Sequence, residues 1–517
     1  MKRNLLQLPL LIIILVFINI HNGIGQIITF KKVFPHISGI DPYHRYVVCK
    51  PFANQKSYIV SAFASGNSLY LTKINSGGNF VSRKRYFSGS DYCNFIINNK
   101  SITFFSQENN NSNFTKIDTS LNIISVVEYD SISWWQAINN NIICTANNGY
   151  LLGGGRGTLS PLIVRTDTNG NVIWGKYFSS IQGGIQDLIQ TKDSGFVIAS
   201  NLKNFGASLI KTDSAGNVLW AKSYFRPRGY IHNVLENADG TMIITGNVDS
   251  STISSPLFFV KLNEAGIVIW AKTFGDAVNN IRTFASDTKH TQDGGFVTLA
   301  TFAIDTWLDD LLIIKTDASG DTLWVRAHGS PNSWDYGQSI EQLNDKGYII
   351  SGITNNNIPV PLSSLYIIRT DSLGRTDSLC EEYSLPIAIN NITVNDSDIN
   401  VIAVPFTIHT SIPDTSTQSV TTYAYDGCHL DAIAELYAEQ TAPLLIYPNP
   451  TEGKFQISNF KSQASSIEIY NINGKRIYSG ITNESVTDID LTGYSKGLYF
   501  VKMSNERWVK TGKVMVY

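Results

Sequence analysis

The stretch KTDSAGNVLW, from Lys211 to Trp220, decides how this chain folds. It reads as the end of one strand, a tight turn and the start of another. Asp213 carries a short carboxylate able to accept hydrogen bonds from backbone N–H groups two or three residues on, and Gly216 can take the positive φ that closes such a turn. The pattern recurs as KINSGGNFVS from Lys73, KIDTSLNIIS from Lys116, RTDTNGNVIW from Arg165, KLNEAGIVIW from Lys261, KTDASGDTLW from Lys315 and RTDSLGRTDS from Arg369. Consecutive copies start 43, 49, 46, 50, 54 and 54 residues apart, a period that suits four short strands with their turns, the size of one propeller blade. A second turn precedes several copies, at Asp193-Ser194-Gly195, Asp239-Gly240, Asp293-Gly294-Gly295 and Asp345-Lys346-Gly347, each followed by an apolar run such as Phe196-Val197-Ile198-Ala199. Each unit is therefore two hairpins in succession.

The ends of the array predict how it closes. Phe30-Lys31-Lys32-Val33-Phe34 matches Trp270-Ala271-Lys272-Thr273-Phe274, the fourth strand of a later unit, yet no first, second or third strand precedes it. The seventh copy breaks down after its turn, where Ser378 replaces the tryptophan. Residues 29 to 34 are expected to complete the last unit, joining the first and last edges so that no strand edge is left open. The expected fold is all-β: a seven-bladed β-propeller closed by the N-terminal strand, followed by a small C-terminal immunoglobulin-like β-sandwich.

Composition agrees. Of the 517 residues only 16% are charged, and aromatics and glycine are plentiful, which favours strands and turns. A formal net charge of -2 gives no electrostatic reason to expect nucleic acid as a partner. Residues 1–25 combine Lys2 and Arg3, an apolar run from Leu8 to Ile20, and Gly23 and Gly25 before Gln26, the pattern of a signal peptide. No later segment is long and apolar enough for a membrane-spanning helix, so none is expected in the mature chain. Five cysteines, none in a CxxC pair, point to neither zinc nor thioredoxin chemistry. Cys380 and Cys428 bracket one segment and form the candidate disulfide.

The basic residue opening each copy (Lys73, Lys116, Arg165, Lys211, Lys261, Lys315, Arg369) is read as a structural ion-pair partner of its turn Asp, and Trp174, Trp220, Trp270 and Trp324 as packing between units. The turn resembles the tryptophan-docking repeat of pyrroloquinoline-quinone dehydrogenase propellers, which carry one more residue between Asp and Gly. That resemblance implies shared blade mechanics only, since no residue set here matches their cofactor and calcium site. The chain is more similar to secreted bacterial propellers with a KTDxxGxxxW hallmark in each blade.

From Tyr447 the pattern changes to YPNPTEGKFQI, IEIYNINGKRIY from Ile467 and LTGYSKGLYFVKM from Leu491, and the chain closes on KTGKVMVY. These blocks resemble the C-terminal sorting domain of type IX secretion cargo, with Pro448, Asn449, Pro450, Gly453, Gly474, Gly497 and Tyr499 as its motif residues. The resemblance implies passage of folded cargo across the outer membrane, partnership with the type IX machinery and its sortase, and release or attachment at the cell surface. The expected organisation is a signal peptide over 1–25, a propeller over 26–379, a β-rich extension and linker over 380–440, and the sorting domain over 441–517.

No HExxH, GxSxG, P-loop, EF-hand or CxxC motif occurs, and no metal or cofactor is expected. Antiparallel strands alternate direction, so the loops from second to third and from fourth to next-first strand share one face. That face collects Trp134, Trp135, Arg226, Arg228, Tyr230, Trp307, Asp309, His328, Trp334, Asp335 and Tyr336, the aromatic and charged mixture that glycan or protein recognition uses. The expected function is an exported, non-catalytic binding protein. The alternative is a secreted glycan hydrolase or lyase, or a quinone-dependent oxidoreductase, acting from the same face.

Overall fold

The computed structural model describes residues 29–34, 44–64, 68–87, 94–98, 100–108, 111–129, 142–156, 160–226, 228–248, 256–275, 282–305, 308–329, 333–356, 362–376, 382–383, 389–406, 408, 410–411, 417–419, 425–426, 444–458, 465–472, 474–484, 486–504 and 509–517. Among them there is no helix, and the chain divides into two compact units, Met1–Cys428 and His429–Tyr517.

The first unit contains seven antiparallel sheets of five strands. Sheets 1 to 6 each take four consecutive strands, beginning at His44–Pro51, Phe95–Ile97, Ile142–Thr145, Gly183–Gln190, Gly229–Glu236 and Arg282–His290. Sheet 7 takes Ser333–Gln342, Tyr348–Asn356 and Leu362–Thr370. Its fourth strand is Phe30–Phe34, from the other end of the described chain, with Lys32 opposite Ile367. The arrangement is propeller-like, since each sheet packs on the next and the strand His44–Pro51 of sheet 1 packs on sheet 7.

The repeated turn explains these units chemically. Asp213 Oδ1 accepts the backbone N–H groups of Ala215 at 2.9 Å and Asn217 at 2.8 Å, and its Oδ2 accepts Asn217 Nδ2 at 2.8 Å. The partners are thus two and four residues on, where the sequence suggested two or three. Gly216, at φ 77°, fits against the preceding sheet: a Cβ there would sit 2.9 Å from Trp174 Cη2. Trp220, Trp270 and Trp324 dock in the same way on Gly266, Gly320 and Gly374. At the junction of sheets 7 and 1 the tryptophan's place is taken by Phe30, over Gly78.

In the last four copies the basic residue finds a different partner from the one expected, whereas Lys73 Nζ donates to Thr119 O at 3.1 Å and Arg165 to the carbonyls of Tyr150 and Thr166. Lys211 Nζ lies 2.7 Å from Asp193 Oδ1, Lys315 Nζ 2.9 Å from Asp293 Oδ2 and Arg369 Nη2 2.7 Å from Asp345 Oδ2. These aspartates belong to the turn between first and second strands, so the pair ties two hairpins of one sheet together. The carboxylate of the repeated turn is already occupied by backbone donors.

The hydrophobic cores lie between sheets. Val197, Leu209 and Tyr224 of sheet 4 pack with Ile231, Ile244 and Phe258 of sheet 5, and Phe34, Leu365 and Ile367 of sheet 7 pack with Val47, Tyr58 and Val60 of sheet 1. Burial of aromatic and branched residues at such junctions is the main force holding sheet to sheet.

Residues 382–426 add the fifth strand of every sheet. The short strands Glu382–Tyr383, Ile389–Asn391, Ser397–Asp398, Ile402–Phe406, Thr410–Ser411 and Thr417–Ser419 pair with the fourth strands of sheets 6, 5, 4, 3, 2 and 1 in that order. Tyr425–Asp426 then pairs with Phe30–Phe34, with Lys32 opposite Asp426. This segment runs past the sheets in the reverse of their sequence order. Val394, Ile399 and Val401 anchor it by entering the cores between sheets, and Lys222 Nζ grips it through Asp396 at 2.8 Å and Asp398 at 2.9 Å.

The second unit has a sheet of three strands (Leu445–Tyr447, Lys454–Ser458, Thr487–Asp490) and one of four (Ser465–Asn471, Arg476–Thr482, Gly497–Ser504, Val509–Val516). One core, with Phe455, Ile457 and Ile489 from the first and Ile469, Val501 and Val514 from the second, lies between them.

Candidate functional site

The first strands of sheets 1, 5, 6 and 7 line a cavity of about 310 Å³, joined by Asn94 just ahead of the first strand of sheet 2. Sheets 4, 5, 6 and 7 carry a bulge at the same place in their first strands, between Ile185 and Asp187, Ile231 and Asn233, Ala285 and Asp287, and Gly337 and Ser339. A bulge leaves one residue without a cross-strand partner and re-aims its side chain. The residues so displaced are Gln186, His232, Ser286 and Gln338, and the last three line the cavity.

The residue after each bulge fastens neighbouring sheets. Asp187 Oδ2 accepts Val234 N at 2.9 Å, Asp287 Oδ2 accepts Ile340 N at 3.1 Å, and Ser339 Oγ accepts Cys49 N at 3.2 Å. Gln338 Oε1 accepts Val47 N across the junction of sheets 7 and 1. A buried carboxylate that takes a backbone N–H from the next sheet is committed to structure, because removing it would orphan that donor.

Deeper along the same strands lies a charged arc made by sheets 6, 7 and 1. Lys289 Nζ is 3.0 Å from Asp287 Oδ1 and 3.9 Å from Glu341 Oε1. Burial opposes the charge of Lys289, but Asp287 and Glu341 outweigh it and hold the ammonium above its usual range. Lys50 Nζ donates to Phe95 O at 2.8 Å and lies 5.5 Å from the Phe95 ring centroid. Burial, only partly offset by Glu341, brings the Lys50 ammonium down to about 8. Burial also depresses His232, to about 4, against a hydrogen bond with the Asn247 side chain. At neutral pH the His232 imidazole is therefore neutral and both lysines remain ammoniums, beside the side chains of Asp287 and Glu341.

The end of the cavity nearer the fourth-to-first loops is aromatic. Tyr230, Phe284 and Tyr336 each stand two residues before a displaced residue, opposite Asn247, Thr301 and Ile353, so they occupy one register position on three successive sheets. Tyr230 is 49% and Phe284 43% exposed, and Trp334, near Tyr336 in the same strand, is 36% exposed.

Of the residues singled out in the sequence, Tyr336 lines the cavity, while Tyr230 and Trp334 are exposed on the same strands outside its lining. Arg226 and Arg228 are exposed in the preceding loop, where the Arg226 guanidinium lies 4.8 Å from the Phe205 ring centroid. Two assignments are corrected. Asp335 alternates to the opposite side of its strand and is buried, and His328 is buried with Nε2 2.9 Å from Gly374 O, so neither offers a side chain to a partner. Trp134, Trp135, Trp307, Cys380, Cys428 and residues 1–25 lie outside the described residues, as does the Asp309 side chain. The sequence reading missed Phe284, His232, Ser286, Gln338, Lys50, Lys289 and Glu341. Aligning the units on IQD, IHN, ASD and GQS, at residues 185–187, 231–233, 285–287 and 337–339, would have exposed them as one varying polar position.

In the second unit the motif residues form a clasp. Asn449 Nδ2 donates to Lys513 O at 2.8 Å and its Oδ1 accepts Met515 N at 3.0 Å, while Thr451 N donates to Met515 O at 2.8 Å. Gly453, at φ 119°, passes so near Thr492 that a Cβ would be 2.9 Å from its Cα, and its carbonyl accepts Leu491 N at 2.7 Å. Gly474 and Gly497 have positive φ beside hairpins, and Tyr499 is buried in the shared core.

Residues 445–517 match the family profile of the secretion system C-terminal sorting domain. The chain thus carries a type IX sorting domain, which marks it for export to the cell surface or the medium. Ulvan lyase NLR42 of Nonlabens ulvanivorans is 33% identical over 81 residues, 15% of each chain. Among solved structures, PorZ of Porphyromonas gingivalis, a surface component of the type IX secretion system, aligns with 89% of this chain and 74% of its own at 10% identity and TM-score 0.25. The periplasmic gluconolactonase PpgL of Pseudomonas aeruginosa aligns with 74% of this chain and 100% of its own at 9% identity and TM-score 0.36. Likenesses at these scores carry no argument about activity. Among the described residues no helix is long and apolar enough to cross a membrane.

Proposed function

We propose that residues 26–379 are a seven-bladed β-propeller closed by Phe30–Phe34, that the segment 380–440 serves as its rim and linker, and that residues 441–517 form an immunoglobulin-like sandwich recognised by the type IX machinery and its sortase. Cleavage of the signal peptide 1–25 precedes that step. The exported propeller acts as a non-catalytic binding protein whose contact surface is the end carrying the fourth-to-first loops. The observation that carries this reading is the conjunction, at that end, of exposed aromatics with a cavity lined by four sheets and bearing residues of both charges. Such pockets, few per protein and with a small number of placed polar groups, are where small ligands bind.

A second reading is favoured by Lys50. An amine lowered to about 8 in a recess it shares with Glu341 can exchange a proton near neutral pH, as a glycan lyase or hydrolase would require. Incubating the full chain with a panel of soluble glycans, and reading both retention on a glycan array and the release of new chain ends, separates the two. Retention without new ends supports the binding protein. New ends that vanish in Lys50→Met and Glu341→Gln support the enzyme, and neither signal on any glycan counts against both.

A further inference from the structure

The proposed binding reading leaves the ligand's chemistry open, and the cavity constrains it. Three tiers run along the first strands of sheets 5, 6 and 7. Phe284 and Tyr336 form the outermost, with Tyr230 at the same register position of sheet 5 but outside the cavity lining, His232, Ser286 and Gln338 the middle, and Lys289 with Glu341, joined by Lys50 from sheet 1, the innermost. We propose that this cavity holds one uncharged pyranose ring, the terminal sugar of a neutral glycan, stacked on the aromatic tier and hydrogen-bonded by the two tiers below.

Size, charge and lining each narrow the choice. About 310 Å³ lies at the lower end of the ~300–1,000 Å³ usual for ligand sites, enough for one ring and too little for a chain laid along it. The lining carries two basic side chains, Lys50 and Lys289, and two acidic ones, Asp287 and Glu341, so its formal charges cancel and give no pull on a polyanion. Donors and acceptors are interspersed: the Nε2 donor of Gln338, whose Oε1 is held by Val47 N, a hydroxyl at Ser286, a neutral imidazole at His232 and a carboxylate at Glu341. Vicinal hydroxyls, which donate and accept at once, match such a set, whereas a sulfate or carboxylate only accepts. The C–H face of a pyranose suits an aromatic wall, and Phe284, 43% exposed on an inward strand, has that surface to cover.

The inference rests on the binding reading, and the test keeps the two apart. The full chain is titrated by ligand-observed NMR with neutral methyl glycosides (gluco, galacto, manno and xylo), with methyl glucuronide and with a sulfated methyl galactoside, and is probed in parallel on a glycan array. Saturable binding of at least one neutral glycoside, stronger than either anion and weakened tenfold or more in Phe284→Ala and in Gln338→Ala, is expected. Phe284→Tyr, which keeps the ring, should retain affinity within threefold, so a loss through misfolding is distinguishable. Stronger binding of the anionic sugars, or neutral binding untouched by Phe284→Ala and Gln338→Ala, overturns the inference. Array binding that persists without any methyl glycoside binding sinks the single-ring site and leaves the binding protein standing. Silence in both experiments sinks both.

Discussion

The two edges of the seven sheets obey different rules. At the fourth strands the structure is repetitive: at five of the seven junctions a tryptophan or phenylalanine docks on a glycine turn of the next sheet, Ser82 and Ser125 standing at that position in sheets 1 and 2, and a fifth strand covers every edge that would otherwise template aggregation. At the first strands it is irregular. The bulges align, but the displaced residues differ from sheet to sheet (Gln186, His232, Ser286, Gln338), and three positions equivalent to buried or half-buried aliphatics elsewhere hold Lys50, Lys289 and Glu341. Repetition on one edge supplies stability, and departure from it on the other supplies chemistry.

The largest expected effect sharpens the first half of that contrast. Phe34 and Phe274 occupy equivalent places in two fourth strands, and both are fully buried. Truncating either to Ala should cost about 3–5 kcal/mol, read as the shift in urea midpoint. A much smaller cost at Phe34 would mean that the N-terminal strand is not an ordinary member of its sheet.

A somewhat smaller effect comes from His328, which burial depresses to about 4 from 6.5. Its folded value is lowered, so its contribution is fully present above pH 6.5 and is lost as pH falls through about 4. That amounts to about 3 kcal/mol. In His328→Gln the stability profile should flatten over this window, and an unchanged slope in thermal melts would contradict the assignment.

At the inner edge the sign reverses. Lys50 has a folded value of about 8 against 10.5, so its burial as an ammonium costs stability at neutral pH, a cost relieved as pH rises from 8 to 10.5. Lys50→Met should therefore stabilise the protein by about 1–2 kcal/mol at pH 7, with the gain shrinking toward pH 10. Stabilisation accompanied by lost function would mark Lys50 as kept for chemistry, and destabilisation at pH 7 would show the first strands to be as structural as the fourth. The smallest effect belongs to the rim. Asp396→Asn should cost at most about 1 kcal/mol, because Asp398 also holds Lys222.

The same contrast explains what could be read beforehand. The repeated turn is local chemistry within seven residues, so the units, their fourth-strand aromatics and the pairing of Phe30–Phe34 with the last unit were legible. The sorting motif was legible for the same reason, since Asn449 and Gly453 act within one small sandwich. The cavity was not, because its residues lie about one repeat apart and are aimed by bulges that exist only once strands pair. The fifth strands escaped too. At two to five residues each they have no period to detect, and scattered apolar residues such as Val394, Ile399, Val401 and Phe406 mark where the segment turns into a core.

Hydrogen–deuterium exchange on the full chain tests the central claim most directly. The account predicts that the amides of Phe30–Phe34, paired along their whole length with Leu365–Arg369 and at Lys32 and Val33 also with Tyr425–Asp426, exchange as slowly as those of the internal strand Val268–Phe274. Exchange of that segment within seconds, at the rate of an unpaired terminus, would contradict closure of the seventh sheet by the beginning of the chain.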